Sequence, residues 1–160
     1  MQLWRLIKTR YASTAFDGEG ARIDGARWNS PGTRVAYAAD NSALAVLEVL
    51  VHLKNGASLS SYTLVTATIP DGLVEDFDKS SLPVDWNSSP VPPKVQAIGD
   101  DWRSSGTSLA LRVPSAIVQG CNNVLINPQH PDFAHFAVDA IEPFAFDSRP
   151  LRPPAVSNTR

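Results

Sequence analysis

The chain has 160 residues, 43% of them hydrophobic, which is enough for one domain with a sizeable core and too little for a second. A formal net charge of −2 argues against a protein that holds nucleic acid chiefly by its phosphates, a mode that needs clustered excess Lys and Arg. Cys121 is the only cysteine, which excludes an internal disulfide and a thiolate-built zinc site and makes a reducing compartment the default.

The N-terminal stretch is charged too early for a signal peptide, and no apolar run approaches the ~18 residues that span a bilayer. The expectation is a cytoplasmic protein without membrane or direct nucleic-acid contacts. Charge is uneven along it. Residues 1–34 carry six basic side chains (Arg5, Lys8, Arg10, Arg22, Arg27, Arg34) against three acidic ones (Asp17, Glu19, Asp24), so a small anionic ligand suits that segment.

Residues 3–7 alternate and predict a strand. Residues 10–32, rich in Gly and polar side chains, predict an extended loop, and long loops in compact domains are often functional. Residues 34–38 predict a second strand. Asn41-Ser42 then supplies an N-cap for a helix that carries Glu48 and stops near Asn55-Gly56. Residues 62–69 form a β-rich run halted by Pro70-Asp71-Gly72.

From 71 to 93 the composition turns acidic and rich in Pro and Ser, which reads as a surface excursion. A short helix is predicted over 95–105, around Trp102, followed by strands at 109–113, 124–126 and about 136–146. The Pro-rich stretch from Arg149 to Pro154 reads as a loosely ordered tail. Many short strands with few helices predict an α+β fold, a single compact domain on a mixed or antiparallel β core.

Glu48 is the one charge in Ala43–Val51, and at helical spacing it shares a stripe with Leu44, Leu47 and Val51. Burying an unpaired carboxylate costs several kcal/mol, so a nearby cation, a donor set or a polar cleft is implied. Arg27 and Arg34 are the candidate cations. Standard alternatives are missing: there is no P-loop and no Gly-x-Gly-x-x-Gly after a strand. His52, His130 and His135 lack a metal-binding spacing, and Ser115 lacks the Gly-x-Ser-x-Gly elbow. What remains is Arg27-Trp28-Asn29, Tyr37, Glu48, Ser115, Asn123 and Asn127. Read alone, Tyr37 suits a core strand, and Ser115, Asn123 and Asn127 suit turns.

The order of blocks narrows this. Trp4-Arg5, Gly25-Ala26-Arg27-Trp28-Asn29-Ser30-Pro31-Gly32, Tyr37-Ala38, Leu44 to His52, Ile98 to Trp102, Val113-Pro114-Ser115-Ala116, Asn127 to Phe133 and Phe144 to Arg149 together resemble the RES domain, named for its Arg, Glu and Ser. The resemblance spans residues 3–151 and sets the domain at 1–151, with 152–160 as the tail. It implies a fold similar to ADP-ribosyltransferases and the toxin of a bacterial toxin–antitoxin pair that consumes NAD, with no metal. The implied partner is an antitoxin with a helix-turn-helix DNA-binding domain, and a protein acceptor of ADP-ribose is the alternative outcome.

The resemblance implies Glu48, Arg27, Tyr37 and Ser115 as catalytic residues, and Arg5, Arg27, Trp28, Asn29, Tyr37 and Asn127 as residues that bind NAD. In that reading Glu48 stabilises positive charge on the ribose, and Arg27 with Arg5 clamps the pyrophosphate. Tyr37 stacks on nicotinamide or ribose, and Ser115 orients the ribose or Glu48. Two departures from the family pattern stand out: Ala26 replaces the second glycine of Gly-Gly-Arg-Trp-Asn, and Gln119-Gly120-Cys121-Asn122-Asn123 lacks a common glutamate. An interaction module without turnover is the reading outside enzymes.

Overall fold

Alternation in β1 (Gln2–Lys8) puts Leu3, Arg5 and Ile7 on one face and Trp4, Leu6 and Lys8 on the other, and this division runs through the whole sheet. The computed structural model describes residues 1–53 and 59–147. Seven strands form one sheet in the order β4-β5-β6-β2-β1-β3-β7, with β2 (Ala36–Ala39), β3 (Tyr62–Thr68), β4 (Val74–Asp76), β5 (Ala110–Pro114), β6 (Asn122–Ile126) and β7 (Ala137–Phe144). Only β4 and β5 are parallel, so the core is mixed and mostly antiparallel, as the α+β reading expects.

The sheet opens at its centre. β1 pairs with β3 from Gln2↔Thr68 to Lys8↔Tyr62 but meets β2 only at Trp4↔Ala39. Arg5 spans the opening by donating from Nη1 to the Tyr37 carbonyl at 2.8 Å, and its guanidinium lies 5.9 Å from the Phe16 ring centroid. A side chain thus supplies the link that the backbone ladder lacks.

One face carries the main core: Leu3, Ala36, Ala38, Val65, Ala67, Ala110, Val124 and Ile126, closed by Phe16 with Phe133 and Phe136 beside it. The other face is divided. Helix α2 (Ser42–Val51) covers Leu6, Ala39 and Tyr62 with Leu44 and Ala45, while α3 (Pro93–Ser105) covers Leu111, Val113 and Leu125 with Val95, Trp102 and the Trp28 loop. A cleft lies between the two clusters.

The predicted strands and the two larger helices are all present, but three stretches carry more structure than their composition suggests. Residues 10–32 hold most of a 3₁₀ turn (Thr9–Thr14) and α1 (Glu19–Asp24). Residues 71–93 include β4, whose three residues extend the sheet beyond β5. The last strand begins after a 3₁₀ turn at Pro131–His135 and ends at Phe144. Asn41 caps α2 as expected, its Oδ1 accepting from the Leu44 N–H at 2.8 Å. The helix stop expected at Asn55-Gly56 and the tail at 152–160 lie outside the described residues.

The apolar stripe on α2 differs from its prediction. Leu44 and Ala45 are buried, but Leu47 and Val51 are 38% and 53% exposed. Glu48 belongs instead to the row of Ala45, Val49 and His52, which faces the cleft.

Candidate active site

The cleft has a volume of about 790 Å³ and is built where the sheet parts. Its floor is Trp4, Arg5 and Leu6 of β1, Tyr37 and Ala39 of β2, and Asn123 of β6. One wall is α2, with Glu48 and His52. The facing wall is the loop Ala26-Arg27-Trp28 with Ser89 and Val91, and Ala116-Ile117 closes an end. Pockets of this size, mostly apolar with a few convergent polar groups, hold small molecules and cofactors.

Glu48 is 28% exposed and hydrogen-bonds Asn123, whose Nδ2 donates to Oε1 at 2.7 Å. Its other oxygen, Oε2, lies 3.8 Å from His52 Nε2, one helical turn on. Neither expected arginine is its partner among the described residues. Arg34 is engaged by Glu19, and Arg27 donates from Nη1 to the carbonyls of Trp86 (2.7 Å) and Ser88 (3.2 Å). The carboxylate is accommodated by a neutral amide and partial solvation, so no ion pair is required.

Arg27 and Arg5 therefore both line the cleft, Arg5 at the gap between β1 and β2, without a carboxylate within ion-pair distance among the described residues. A guanidinium has five N–H donors in a planar fork, and those that are not bonded to carbonyls suit an anion of pyrophosphate geometry. Burial strips solvent from Arg5 and pulls its pKa down to about 10, with Asp17 and Tyr37 opposing the shift, so it stays charged at neutral pH.

Tyr37 is a junction. Its hydroxyl donates to Asn29 Oδ1 at 2.8 Å and accepts from the Trp28 N–H at 3.2 Å, leaving the ring as cleft lining. Burial raises its pKa, with Asp100 and Glu48 adding to the effect, so the hydroxyl remains protonated and able to donate.

The arginine loop is held from behind. Asn29 is fully buried, and its Nδ2 reaches the carbonyls of Ala21, Ser30 and Thr33. Trp28 is 1% exposed and stacks on Trp86 at 5.8 Å. Helix α3 adds Gln96, whose Nε2 donates to the carbonyls of Ala26 (2.9 Å) and Asn29 (3.1 Å), and Asp100, which accepts from Ser30 N–H. Gly99 permits this packing, because a Cβ there would sit 1.7 Å from the Trp28 carbonyl oxygen. Ala26 has no positive φ and pairs with Asn29 in a β-bridge, so the missing glycine leaves the loop unstrained.

The structure thus gathers Arg5, Arg27, Tyr37 and Glu48 around one cleft and sets the other sequence candidates differently. Asn29 supports the loop rather than lining the space, and Trp28, almost wholly buried, belongs to the facing wall. Ser115 is 6% exposed, and its Oγ accepts from the N–H groups of Ile117 and Val118, shaping the turn that presents Ala116 and Ile117. Asn127 lies beyond the far end of β6, where its backbone N–H donates to Leu109 and its Oδ1 accepts from Gln129. That end is away from the cleft because β6 enters it at Asn123.

Sequence reasoning kept Asn123 among the candidates but read it as a turn residue, and it gave Gln96 and Gly99 no role. Asn123 had a signal: it alternates with Leu125 and so shares the strand face that α2 and α3 cover. Among the described residues no three His, Cys, Asp or Glu side chains are placed to hold a metal ion, and no helix is long and apolar enough to cross a membrane.

Comparison with known proteins agrees with this architecture. The RES domain model matches residues 2–147. A Toxin Res of Photorhabdus laumondii is 40% identical over 93% of this chain and 96% of its own length, and a Toxin Res of Yersinia enterocolitica is 37% identical over 93% and 99%. A Sphingobium protein named Prs ADP-ribosylating toxin is 34% identical over 93% of this chain and 96% of its own. Among solved structures, the M. tuberculosis MbcT–MbcA toxin–antitoxin complex contains a chain with the same fold, at a TM-score of 0.73 and 22% identity over 90% of this chain and 84% of that one.

Proposed function

The chain belongs to the RES domain family, and on that premise we propose that it is the toxin of a toxin–antitoxin pair, an enzyme that consumes NAD by cleaving its nicotinamide–ribose bond. The observation that carries this reading is the pairing, across one cleft, of an oriented carboxylate, Glu48, with two arginines that have no carboxylate partner among the described residues, Arg5 and Arg27.

The chemistry follows from that layout. Arg27 and Arg5 take the pyrophosphate by charge-assisted bonds, which fixes the dinucleotide relative to α2. Tyr37 offers its ring to ribose or nicotinamide. As the glycosidic bond lengthens, positive charge grows on the ribose, and Glu48 stabilises it in a partly dehydrated site where charge interactions are stronger than in water. Nicotinamide departs as a neutral group, so no strong general acid is needed. Asn29, Trp28 and Ser115 act indirectly in this scheme, by holding the Arg27 loop and the Ala116-Ile117 wall.

The reading places the protein in the cytoplasm, where NAD is abundant, and under the control of an antitoxin with a helix-turn-helix DNA-binding domain. The solved toxin–antitoxin complex of a protein with this fold supports an antitoxin partner. A second outcome, transfer of ADP-ribose to a protein, is favoured by the relative named as an ADP-ribosylating toxin.

One experiment separates them. Purified protein is incubated with NAD, with and without phosphate, and the products are weighed by mass spectrometry. Free nicotinamide with an ADP-ribose product supports cleavage and identifies the small acceptor. NAD that is stable alone but labels a protein in a lysate supports the transferase, and NAD unchanged in both assays contradicts the enzyme reading.

A further inference from the structure

Asn123 sits on β6 opposite Ala39 of β2, with its side chain on the cleft face of the sheet. Its Nδ2 donates to Glu48 Oε1 at 2.7 Å, across from α2, an element 75 residues earlier in the chain. Among the described residues the other carboxylate oxygen has only the approach of His52 Nε2 at 3.8 Å, beyond hydrogen-bond distance, and His52 is 78% exposed. The two oxygens of Glu48 are therefore unequal. One is fixed by an amide anchored in the sheet, and the other is available.

A glutamate has three side-chain torsions, and on a helix edge it samples several of their staggered wells. A carboxylate that must meet the ribose at the moment charge develops cannot do so from a mobile side chain without a loss of rate. An amide donor is suited to hold it. It carries no charge at any working pH, so it orders the carboxylate without neutralising it, which an arginine at the same place would do. From this geometry, and resting on the NAD-cleaving reading above, we infer that Asn123 is a positioning residue that locks Oε1 of Glu48 and leaves Oε2 to act on the substrate.

Among the described residues, the charged and titratable groups lining the cleft with Glu48 are His52 on α2, Arg5 and Lys8 on β1, Tyr11 after it, Tyr37 on β2, Tyr62 on β3 and Arg27 on the facing loop. None of them takes over the bond that Asn123 makes. Removing the donor frees the carboxylate and withdraws a hydrogen bond that favours its ionised form. Asn123→Ala tests this by deletion, and Asn123→Asp is nearly isosteric but presents an acceptor where Glu48 needs a donor.

In both variants kcat for NAD loss falls ~10–100-fold, the range expected for losing one hydrogen bond to a charged group, while KM stays within about twofold. The Glu48 side chain, followed by carbon NMR relaxation, becomes more mobile in both variants, a readout that does not depend on turnover. Unchanged kcat and an equally ordered Glu48 side chain in a folded Asn123→Asp overturn the inference. So does a rise in KM at constant kcat, which would make Asn123 a substrate contact. If the unmodified protein does not consume NAD, the functional reading fails instead, and the Glu48 relaxation still decides whether Asn123 holds the carboxylate.

Discussion

At the scale of single residues, the site is defined by charges that keep unequal company. Glu48 is held by a neutral amide, whereas Arg5 and Arg27 are held by carbonyl oxygens, so acid and base share a cleft without cancelling each other. Glu48→Gln preserves shape and removes the charge. We expect it to lower NAD turnover by on the order of 10³-fold, with the midpoint of thermal unfolding unchanged, because among the described residues the carboxylate makes no ion pair with an arginine that the fold would miss. Arg5 offers a test by pH. Burial lowers its pKa to about 10, so it is charged below that value and neutral above it. Binding of inorganic pyrophosphate, followed by calorimetry, should hold near neutral pH and weaken as the pH rises through about 10. Affinity that stays flat across that window would remove Arg5 from the anion site.

At the scale of elements, the site depends on two helices set against a sheet. Helix α2 carries Glu48 and starts at the Asn41 cap, so Asn41→Ala should cost about 1 kcal/mol in urea denaturation. Helix α3 carries no group that lines the cleft, yet it sets the position of Arg27 through Gln96, Asp100 and the absence of a side chain at Gly99. Gly99→Ala would drive a Cβ into the Trp28 carbonyl, which is backbone and cannot rotate aside. It should cost ~1–3 kcal/mol and raise KM for NAD more than it lowers kcat, as displacement of the arginine loop predicts. An unchanged KM would place Arg27 outside the binding site.

Much of this was legible from local pattern. The strand at 3–7, the Asn41 cap and the helix with Glu48 each have a signal confined to a few neighbouring residues. Arg27 stands out because it is a cation in a Gly- and Pro-rich loop. The rest needed tertiary information. Val74–Asp76 is too short and acidic to announce a strand, and it pairs only because β5 offers a free edge. Leu47 and Val51 looked like core from spacing alone, but both are exposed, Val51 beside the cleft that Ala45 and Val49 also line. The partner of Glu48 could not be read from charge, because it is an amide brought from 75 residues away by strand order.

At the scale of the whole molecule, the opening between β1 and β2 ties fold to site. A closed ladder there would fill the cleft floor with backbone hydrogen bonds. Parting the strands after Trp4↔Ala39 leaves room for Arg5 to reach the Tyr37 carbonyl, and it places Tyr37, Asn123 and Glu48 around the same space. The apolar main core on the opposite face, from Leu3 to Ile126, supplies the rigidity that such an opening requires.

The measurement that bears most directly on this account is the loss of NAD over time with the purified protein beside Glu48→Gln, with nicotinamide release followed in both. The account predicts steady loss of NAD and release of nicotinamide by the unmodified protein, and almost none by a variant that unfolds at the same temperature. Equal turnover in the two proteins, or no turnover and no labelled acceptor with the unmodified one, would contradict it.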